Sequence, residues 1–461
     1  MAKDYKKKRK KFIDKFRKVL PKYKAYLPDI FYPNQKANIE SNSWFDITKY
    51  KSKKVDNSKY NLNLEFPNES MRCQKVKMIL NNKQKLIINK WFDIYTDMYN
   101  ETLKYIRNQS NIFKNEVIKK KLSNYDKNII DKYKLRAQLK NVKDNLILQS
   151  QIKEINDNTK IQSHTLDYAI RQLVSNIKSA ITNTRKGNIK RFRLKFWKYN
   201  RPSKTIDIEK QYIKNNKICY NILGDIQYFY NNDECDLKDI DSGVKINYNS
   251  ITNEYLLLIP IKTKIKEIKK NKNLISLDPG LRTYMTGLSD DEVIKIGTNV
   301  NTTIKKYIER LNNIKENEKI PNKIKKKNEI KINRKIYNKI DDMQWKTIKY
   351  LTSNYKTILL GDMSAKSIVA KNRSVLDNLT KVSCLRLRYY DFRRRLEYKC
   401  IQTKTNYKLV NECYTSKICS LCGNYNEKLQ DEKIYDCREC LKKIDRDVNG
   451  CRNIMIKSLM V

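Results

Sequence analysis

The sequence predicts a multidomain α+β protein with a helical bundle, a small β-barrel and a larger domain of mixed strands and helices. Three observations predict this fold class. The chain has 461 residues, which at roughly 150 residues per domain is enough for about three hydrophobic cores. Its apolar residues change from a helical to a strand period partway along the chain. Four cysteines in two closely spaced pairs lie near the C-terminus.

The composition narrows the class of function. The chain carries 99 Lys and Arg against 50 Asp and Glu, a formal net charge of +49 at pH 7. A surface this positive repels itself unless a polyanion neutralises it, and nucleic acids have enough phosphates to do so. An ordinary metabolic enzyme is therefore disfavoured. No run reaches the ~18 apolar residues of a spanning helix and no apolar stretch follows the basic N-terminus, which predicts an intracellular protein with no membrane partner.

The histidine and cysteine counts restrict the chemistry. With His164 as the single histidine, a Ser-His-Asp triad, a His-rich zinc site and a His-Asn-His nuclease are excluded unless they converge on that residue. Catalysis is therefore expected to use carboxylates. The 11 cysteines are predicted to be thiols or metal ligands, because the cytosol is too reducing for a disulfide framework.

Residues 1–66 are polar and basic, and we interpret them as an N-terminal extension. The densest run of charge is Lys6-Lys7-Lys8-Arg9-Lys10-Lys11. Such a run is typical of a nuclear import signal or of an arm that binds nucleic acid. A solvated tail is the alternative, and residence in the nucleus is suggested by this run alone.

Residues 67–184 predict a first strand followed by helices. The run Met71–Ile79 reads as a strand, and 67–80 is assigned to the start of a β-barrel. Apolar residues then recur at three- and four-residue steps, the period of an amphipathic helix. The first of them are Ile87, Trp91, Ile94 and Met98. This period continues with interruptions to about Thr184, which predicts a helical domain over 81–184.

A small β-barrel or sheet is predicted over 185–270, where the period becomes two. Between residues 191 and 196 apolar and basic side chains alternate, so a strand there would face the core with one set and phosphates with the other. The apolar set is Phe192, Leu194 and Phe196, and the basic set is Arg191, Arg193 and Lys195. A Lys-rich exterior that meets only solvent is the alternative. Val244–Tyr248 and Tyr255–Ile261 predict a hairpin.

Residues 271–412 predict three strands followed by a helical hairpin over 301–350, a strand, a helix and a strand. This order is that of an RNase H-type domain. The predicted strands are Leu274–Asp278, Leu281–Leu288, Glu292–Ile296, Thr357–Leu360 and Tyr407–Asn411.

A single helix between the last two strands is predicted to have an apolar face and an arginine-rich face. The apolar stripe is Val382, Leu385, Tyr389, Phe392 and Leu396. The basic cluster is Arg386, Arg388, Arg393, Arg394 and Arg395. Because the stripe accounts for packing, the arginines are expected to face outward and bind phosphates, with a solvated surface as the alternative.

Four cysteines form the strongest local motif. Cys419-x-x-Cys422 is followed by Cys437-x-x-Cys440, and two turns that each present a pair of thiolates can close a tetrahedron around Zn²⁺. With four protein ligands such an ion is structural rather than catalytic. Four unrelated cysteines are the alternative, but the other seven show no such pairing.

Two acidic motifs flank this module. Asp278-Pro279-Gly280 follows a buried strand and would put a carboxylate at a sheet edge, although Asp-Pro-Gly alone is a common turn. Asp445-Arg446-Asp447-Val448-Asn449-Gly450 precedes a predicted helix that ends near Leu459, and its first Asp could serve only as an N-cap. Only the combination of motifs separates these interpretations.

In this order the motifs resemble the RuvC nuclease domain of the TnpB transposon proteins, whose relatives are the Fanzor proteins and the type V CRISPR effectors. The resemblance rests on Asp278-Pro279-Gly280, on Tyr414–Gly423 with the second cysteine pair, and on Asp445–Ile454. It covers about residues 70–461 and is most specific in the C-terminal part. The domains that it implies are a helical recognition domain, a wedge β-barrel, a RuvC domain at 271–412 and 444–461, and a zinc ribbon at 413–443.

The resemblance implies an RNA-guided DNA endonuclease associated with a mobile element. A guide RNA would pair with one strand of the target double-stranded DNA, while the protein reads shape and a short flanking motif. Three acids would hold two Mg²⁺ ions that hydrolyse the phosphodiester bond, and the chain is expected to be a monomer. By motif position Asp278 matches the first acid and Asp447 the third, with Asp445 as a neighbour.

The second acid departs from the common pattern of the family. In most TnpB proteins a Glu ends the strand that here carries Gly361, which is followed by Asp362. Glu412 is the candidate substitute, because adjacent parallel strands lie about 4.8 Å apart and a Glu can span that gap when the position between has no side chain. A displaced Glu of this kind is typical of the Fanzor branch and of some TnpB proteins. Asp362 is the rival, and an enzyme that has lost its activity is the remaining alternative.

Two other functions share many of these features. A guided DNA-binding regulator that does not cut would keep every binding feature, and the retention of three acids argues against it. An RNase H-fold transposase would join strands, and the zinc ribbon between the second and third acids argues against that function.

Overall fold

The computed structural model of the chain describes residues 2–23, 38–42, 44–51, 64–109, 130–152, 159–215, 217–229, 240, 242–265, 267–370, 376–429 and 432–460. It is a mixed α+β protein of two compact units. Unit 1 comprises Met1–Ser70 and Thr263–Val461, and unit 2 comprises Met71–Lys262. Parts of the predicted N-terminal extension (24–37, 43 and 52–63) and of the predicted helical domain (110–129 and 153–158) lie outside the described residues.

Helices and strands are numbered in chain order over the described residues. The helices are α1 (Ala2–Tyr23), α2 (Asn82–Gln109), α3 (Lys132–Gln138), α4 (Lys140–Gln149), α5 (Ser163–Arg185), α6 (Tyr220–Leu223), α7 (Val300–Glu316), α8 (Asn322–Asn354), α9 (Ala365–Ile368), α10 (Asn378–Arg386), α11 (Tyr389–Gln402) and α12 (Arg446–Leu459). The strands are β1 (Asn38–Asn42), β2 (Phe45–Lys51), β3 (Glu69–Ile79), β4 (Ser203–Ile208), β5 (Ile213–Lys214), β6 (Lys217–Ile218), β7 (Gln227–Phe229), β8 (Val244–Asn249), β9 (Glu254–Lys264), β10 (Lys272–Pro279), β11 (Met285–Ser289), β12 (Glu292–Ile296), β13 (Tyr355–Gly361), β14 (Asn406–Val410), β15 (Ile434–Asp436) and β16 (Lys443–Asp445).

Unit 1 is built on a seven-stranded sheet in the order β1-β2-β12-β11-β10-β13-β14. Strands β10, β13 and β14 are parallel neighbours, and the other pairs are antiparallel. The register of the last two strands sets Gly361 opposite Val410. The parallel pairing assumed when Glu412 was proposed to reach over Gly361 is therefore confirmed, and α7 and α8 form the predicted helical hairpin.

Helices cover both faces of this sheet. On β10 the side chains of Ile275 and Leu277 join a core with α7, α8 and α11, whereas Leu274 joins a second core with α1 and α12. On β13, Leu360 belongs to the first core and Leu359 to the second. Since both faces are buried, these parallel strands read as continuous apolar runs in the sequence.

The N-terminal segment contributes directly to unit 1. Strand β2 pairs with β12 and buries Phe45 and Ile47 on the sheet, while α1 packs Phe16 and Leu20 into the second core. The one-turn spacing of the last two residues is a sequence signal for an amphipathic helix. The many lysines around Phe16 and Leu20 obscure this signal, and they are the reason that residues 1–66 are predicted to be an extension.

The basic run Lys6–Lys11 lies within α1. Among its described side chains, Arg9 forms an ion pair with Glu427 at 2.7 Å and its guanidinium lies 5.0 Å from the ring centroid of Tyr425. The helix is therefore held against residues of the predicted zinc ribbon.

Replacing Phe16 by Ala is expected to lower the melting temperature of the protein. The side chain is 1 % exposed, and truncation of a fully buried Phe costs about 3–5 kcal/mol, which in a unit of this size corresponds to a shift of about 10 °C. Thermal unfolding followed by circular dichroism measures the shift. Lys11→Ala, at an exposed position of the same helix, is the matched control. An unchanged melting temperature for Phe16→Ala would mean that α1 does not dock on the sheet in solution.

The prediction of one helix between β13 and β14 is wrong in its detail. The structure has the one-turn helix α9, then α10 and α11, and the last two are separated at Arg388, whose φ of 56° lies in the left-handed region. On α10, Val382 and Leu385 are 40 % and 53 % exposed, whereas the three residues of the apolar stripe on α11 are buried. A left-handed residue changes the direction of the chain, so a stripe that is continuous in the sequence is interrupted in space.

Unit 2 combines helices with a five-stranded sheet in the order β4-β8-β9-β3-β7. The predicted hairpin is present as β8 and β9, with Tyr248 opposite Tyr255. Helix α2 buries the four residues whose spacing predicted it, which are Ile87, Trp91, Ile94 and Met98. The helices and the sheet share one hydrophobic core, so they form one compact body.

The alternating segment at 191–196 is not a strand, which corrects the sequence analysis. It has no regular secondary structure, and its neighbours on α2 bind its backbone instead of a partner strand. Arg107 donates to the carbonyl of Leu194, and Asn100 bonds both the N–H and the carbonyl of Trp197, at 2.8 and 3.1 Å. Side chains of a helix thus satisfy backbone groups that a sheet would otherwise satisfy. Exposure still alternates along this segment. The basic side chains of Arg191, Arg193 and Lys195 are exposed, whereas Phe192 and Leu194 are partly buried.

Candidate active site

Acidic side chains from three elements meet at one edge of the sheet of unit 1. Asp278 is on β10, Glu412 follows β14, and Asp447 lies in the first turn of α12. The charges of Glu412 and Asp447 both act on the buried Asp278 carboxyl group. The hydroxyl of Tyr389 donates to the carbonyl of Gly280 at 2.5 Å and fixes the turn that follows Asp278. The structure therefore brings the three predicted acids together.

Glu412 occupies the space that a side chain at position 361 would fill. A Cβ atom on Gly361 would lie 2.8 Å from both Cγ and Cδ of Glu412, closer than real Cβ contacts. Gly450 on α12 does the same for Asp278, whose Cγ would lie 3.1 Å from a Cβ at that position. Because Gly361 and Gly450 have no side chains, the carboxylates of Glu412 and Asp278 have room at this edge of the sheet.

Burial and mutual repulsion disfavour the ionised forms of these acids. Burial, with the charges of Glu412 and Asp447, raises the pKa of Asp278 well above its usual range. Burial and the carboxylate of Asp362 raise the pKa of Glu412 to about 8. Burial and the charge of Asp445 raise the pKa of Asp447. A site that forces several buried carboxylates together is suited to a bound cation, which stabilises their charged forms.

One oxygen of the Glu412 carboxyl group indicates that this site could hold a cation. Its Oε1 atom is buried and has no hydrogen-bond partner among the described residues. Buried polar atoms are rarely unpaired, and an absent ion is one of the accepted explanations. Carboxylate oxygens are the ligands that Mg²⁺ prefers, so the donor set fits this ion.

The acids are spaced more widely than the ligands of one small closed site. Among the described residues, only the four cysteines bring three or more ligand atoms within 4.8 Å of one another. The charges of Glu412 and Asp447 both raise the pKa of Asp278, so both act on this carboxyl group.

Asp362 binds the backbone that carries Glu412. Its carboxylate accepts hydrogen bonds from the Glu412 N–H at 2.9 Å and from the Asn411 side chain at 3.3 Å, while its own N–H donates to Val410 at 2.9 Å. The rival for the role of second acid is therefore engaged in holding the end of β14. Sequence reasoning missed this role because it depends on which way one side chain turns at a strand end.

Asp445 orients Asp447 and is not itself part of the acid cluster. As the N-cap of α12 it accepts from the N–H groups of Asp447 and Val448, at 3.0 and 3.2 Å, which satisfies donors at the helix start. Its other oxygen accepts from Lys295 on β12 at 2.8 Å. Asp445 is therefore the N-cap that the motif allowed for, whereas the role of Asp447 as an acid of the site stays a prediction.

The four predicted zinc ligands converge in a separate small module. The Sγ atoms of Cys419 and Cys440 are 3.7 Å apart, and those of Cys422 and Cys437 are 3.5 Å apart. Such separations agree with sulfurs at about 2.3 Å from one tetrahedral ion. Four thiols with no other donor among them fit a structural Zn²⁺.

Helix α12 joins this module to the acid cluster. Asn449 donates to the Ile418 carbonyl at 2.8 Å and accepts from the Ser420 N–H at 2.9 Å, so it binds both sides of the first cysteine turn. Asn453, one turn later, donates to the carbonyls of Thr415 and Ile418 at 2.6 Å. Sequence reasoning missed both residues, although their spacing in the motif that contains Asp447 was the available signal.

Replacing Cys437 by Ala is expected to remove the bound zinc and to destabilise this module. Metal analysis of the purified protein should find about one zinc per chain in the parent and much less in the variant, because three thiolates cannot close the tetrahedron. Cys73→Ala, at an exposed cysteine of unit 2, is the matched control. Zinc retained by Cys437→Ala at the parent level would contradict the assignment of the four ligands.

The arginine cluster divides into two sets. Arg388 and Arg395 both pair with Asp341, at 2.8 and 2.7 Å, so their charges are used within the protein. Arg394 is exposed and forms a long, solvent-exposed ion pair with Glu397 at 3.8 Å, and the side chains of Arg386 and Arg393 are partly exposed. Asp341 lies on α8, so the inward set consists of the two arginines that reach this helix.

Among the described residues, no helix is long and apolar enough to cross a bilayer.

Comparison with known proteins gives matches in sequence and structure. A family model described as "Cas12f1-like, TNB domain" matches residues 389–454, a segment that contains Glu412, the four cysteines and Asp447. The chain is 30 % identical over 449 residues to TnpB-like protein R854 of Acanthamoeba polyphaga mimivirus, spanning 91 % of this chain and 82 % of that protein. It is 32 % identical over 72 residues to the CRISPR-associated endodeoxyribonuclease Cas12f1 of Sulfoacidibacillus thermotolerans, which is 15 % of this chain and 17 % of that protein. A cryo-EM structure of a Cas12f1-sgRNA-target DNA complex aligns at a TM-score of 0.39 and 13 % identity, over 84 % of this chain and 99 % of that chain.

Proposed function

The chain belongs to the TnpB-like protein family, and from this we propose that it is an RNA-guided DNA endonuclease associated with a mobile element. One observation carries the proposal: Glu412 fills the space beside Gly361, next to Asp278, with a buried carboxylate oxygen that has no partner among the described residues. Buried acids that repel one another destabilise a fold. Their retention in one cluster is therefore best explained by catalysis.

In this proposal Asp278, Glu412 and Asp447 together hold two Mg²⁺ ions. When bound, the ions would activate the attacking water and stabilise the leaving oxygen of the phosphodiester. The protein's part is to hold three ionised carboxylates at fixed positions. Gly361 and Gly450 leave the necessary space, and the backbone contacts around each acid restrict its movement.

Each acid has its own support. Tyr389 holds the turn after Asp278, Asp362 holds the N–H of Glu412, and Asp445 caps the helix that carries Asp447. Tyr389 begins a packed helix, Asp362 directly follows β13 and Asp445 ends β16, so each acid is held from an ordered element, as preorganised catalysis requires. The module with Zn²⁺ steadies the start of α12 through Asn449.

The partners in this proposal are a guide RNA and a double-stranded target DNA. The net charge of +49 supports two polyanionic partners. We propose phosphate contacts for the accessible cations of the predicted clusters, namely Arg191, Arg193, Lys195, Arg386, Arg393 and Arg394. Arg388 and Arg395 are left out because both bind Asp341 at less than 3 Å, whereas the pair of Arg394 with Glu397 is longer, at 3.8 Å, and exposed. Since one chain supplies all three acids, we propose that a monomer is active.

The test is a cleavage assay on the full-length protein purified with its associated nucleic acid. Sequencing that nucleic acid identifies the guide, and duplex DNA that matches it should be cut in Mg²⁺ and left intact in EDTA. Binding of matching DNA without cleavage in Mg²⁺ or Mn²⁺ would instead favour a regulator. A preparation that contains no RNA would favour a transposase.

A further inference from the structure

A cleft of about 450 Å³ opens in unit 1 beside the acid cluster. Pro279 and Gly361 both line it. Pro279 follows Asp278 in the chain, and Gly361 is the residue against which Glu412 packs. The cleft therefore begins where the proposed catalytic acids end. Its volume lies within the range of pockets that bind small organic groups.

The inner part of the cleft is apolar and aromatic. Leu360, Met285 and Phe392 contribute to its lining and are each 2 % exposed or less. Leu385 forms part of the wall and is 53 % exposed, although it lies on a helix whose neighbouring residues are partly buried. An exposed Leu over an apolar slot gives a flat ring a surface to contact.

The outer part carries an aromatic ring and cations. Tyr390 is 67 % exposed, and Lys366 and Arg393 also line the cleft. Among the described lining residues, Asp362 is the one acid, and its carboxylate accepts from the backbone of Glu412. Arg388 is paired with Asp341 and Asp391. The mouth of the cleft is thus positive, while its interior is apolar.

We infer that this cleft binds one unstacked nucleobase of the DNA strand being cut, next to the phosphate held at the acids. The inference rests on the proposed function. An apolar slot with an exposed tyrosine fits the face of a base, and two cations at its mouth fit the phosphates on either side. A base within a duplex is paired and stacked, so it cannot enter without being extruded. Occupation of the cleft therefore requires that this one nucleotide be unpaired.

The test uses Leu385→Trp, which fills the cleft, and Val382→Trp as its matched control. Both residues are exposed on α10, but Val382 does not line the cleft. The guided complex is given DNA substrates with a single abasic nucleotide placed in turn at each position near the cleavage site. In the parent, one position should slow cleavage about tenfold, the order expected for loss of one base–aromatic contact. Val382→Trp should keep this position-specific loss.

Leu385→Trp should cleave intact DNA about tenfold more slowly and be insensitive to the abasic position, because the base no longer enters. Tyr390→Ala should behave in the same direction, and Tyr390→Phe should behave as the parent. A parent enzyme that cleaves every abasic substrate equally, or a Leu385→Trp variant that matches Val382→Trp, would overturn the inference.

A binding measurement separates failure of this inference from failure of the proposed function. DNA with 2-aminopurine at the sensitive position, or at each position in turn, is bound to the guided complex in EDTA, and its fluorescence is compared with that of the free strand. Entry into the cleft should change the emission in the parent and in Val382→Trp but not in Leu385→Trp. If the parent does not cleave DNA, the proposed nuclease function is wrong. If it cleaves DNA but shows no position-specific change in fluorescence, only the inference that the cleft binds a base is wrong.

Discussion

Glu412→Gln is expected to reduce Mg²⁺-dependent DNA cleavage by roughly 10³-fold, the order of loss when one electrostatic element of a preorganised site is removed. The amide keeps the size of the side chain and its fit beside Gly361. It cannot supply the negative charge that a hard cation requires. Guide RNA and target DNA should still bind, which filter binding with matched and unmatched DNA measures.

The matched variant for this experiment is Asp362→Asn. An Asn at this position retains an oxygen that can accept from the Glu412 N–H, at present 2.9 Å from the Asp362 carboxylate. We therefore expect Asp362→Asn to retain cleavage to within about tenfold of the parent. If Asp362→Asn abolished cleavage and Glu412→Gln did not, the second acid would be Asp362.

The stability of Glu412→Gln distinguishes a lost ligand from a damaged fold. The pKa of Glu412 is raised to about 8 from 4.5, so without metal the folded state binds more protons than the unfolded state between these values. The stability contribution of this group is therefore present below pH 4.5 and is lost as the pH rises through about 8. Removing the charge should raise the melting temperature of the EDTA-treated protein at pH 8. A lower melting temperature would show that the substitution acts through structural damage.

Gly361→Ala is expected to reduce cleavage by about 10²-fold or more while the protein remains folded. The added Cβ would lie 2.8 Å from Cγ and Cδ of Glu412, so the acid must leave its present position. The backbone of Gly361 is an ordinary strand residue of β13, which Ala can adopt. A displacement of about 1 Å in a catalytic group can cost of the order of 10² in rate. Circular dichroism and a cleavage time course measure the two effects.

The control for Gly361→Ala moves the acid back across the gap. In the double variant Gly361→Glu with Glu412→Gly, the carboxylate is attached to β13. Position 412, which follows β14, then has no side chain. Part of the cleavage lost in Gly361→Ala should return, since the same opening is filled from the other side. If Gly361→Ala cleaves as fast as the parent, the proposed contact between Glu412 and this position is not needed for catalysis.

The sequence alone was sufficient for features that depend on near neighbours along the chain. The spacing of Cys419, Cys422, Cys437 and Cys440 predicts a metal site, because each pair lies on one tight turn. Short continuous apolar runs predict β10 and β13, and a period of three to four residues predicts α2, because these patterns arise within one element. The proximity of Gly361 and Glu412 was expected only if their strands were parallel neighbours; the structure shows that pairing, with Glu412 two residues beyond the end of β14.

Tertiary structure decided the features in which distant segments meet. Three contacts have partners that local sequence patterns do not specify. They are the hydrogen bond from the Glu412 N–H to the Asp362 carboxylate, the ion pair of Arg388 with Asp341, and the packing of α1 on α12. The same applies to 191–196, whose alternation suits a strand but whose backbone finds its partners on α2. Local periodicity determines which face of an element is apolar, whereas long-range packing and hydrogen bonding determine what that face contacts.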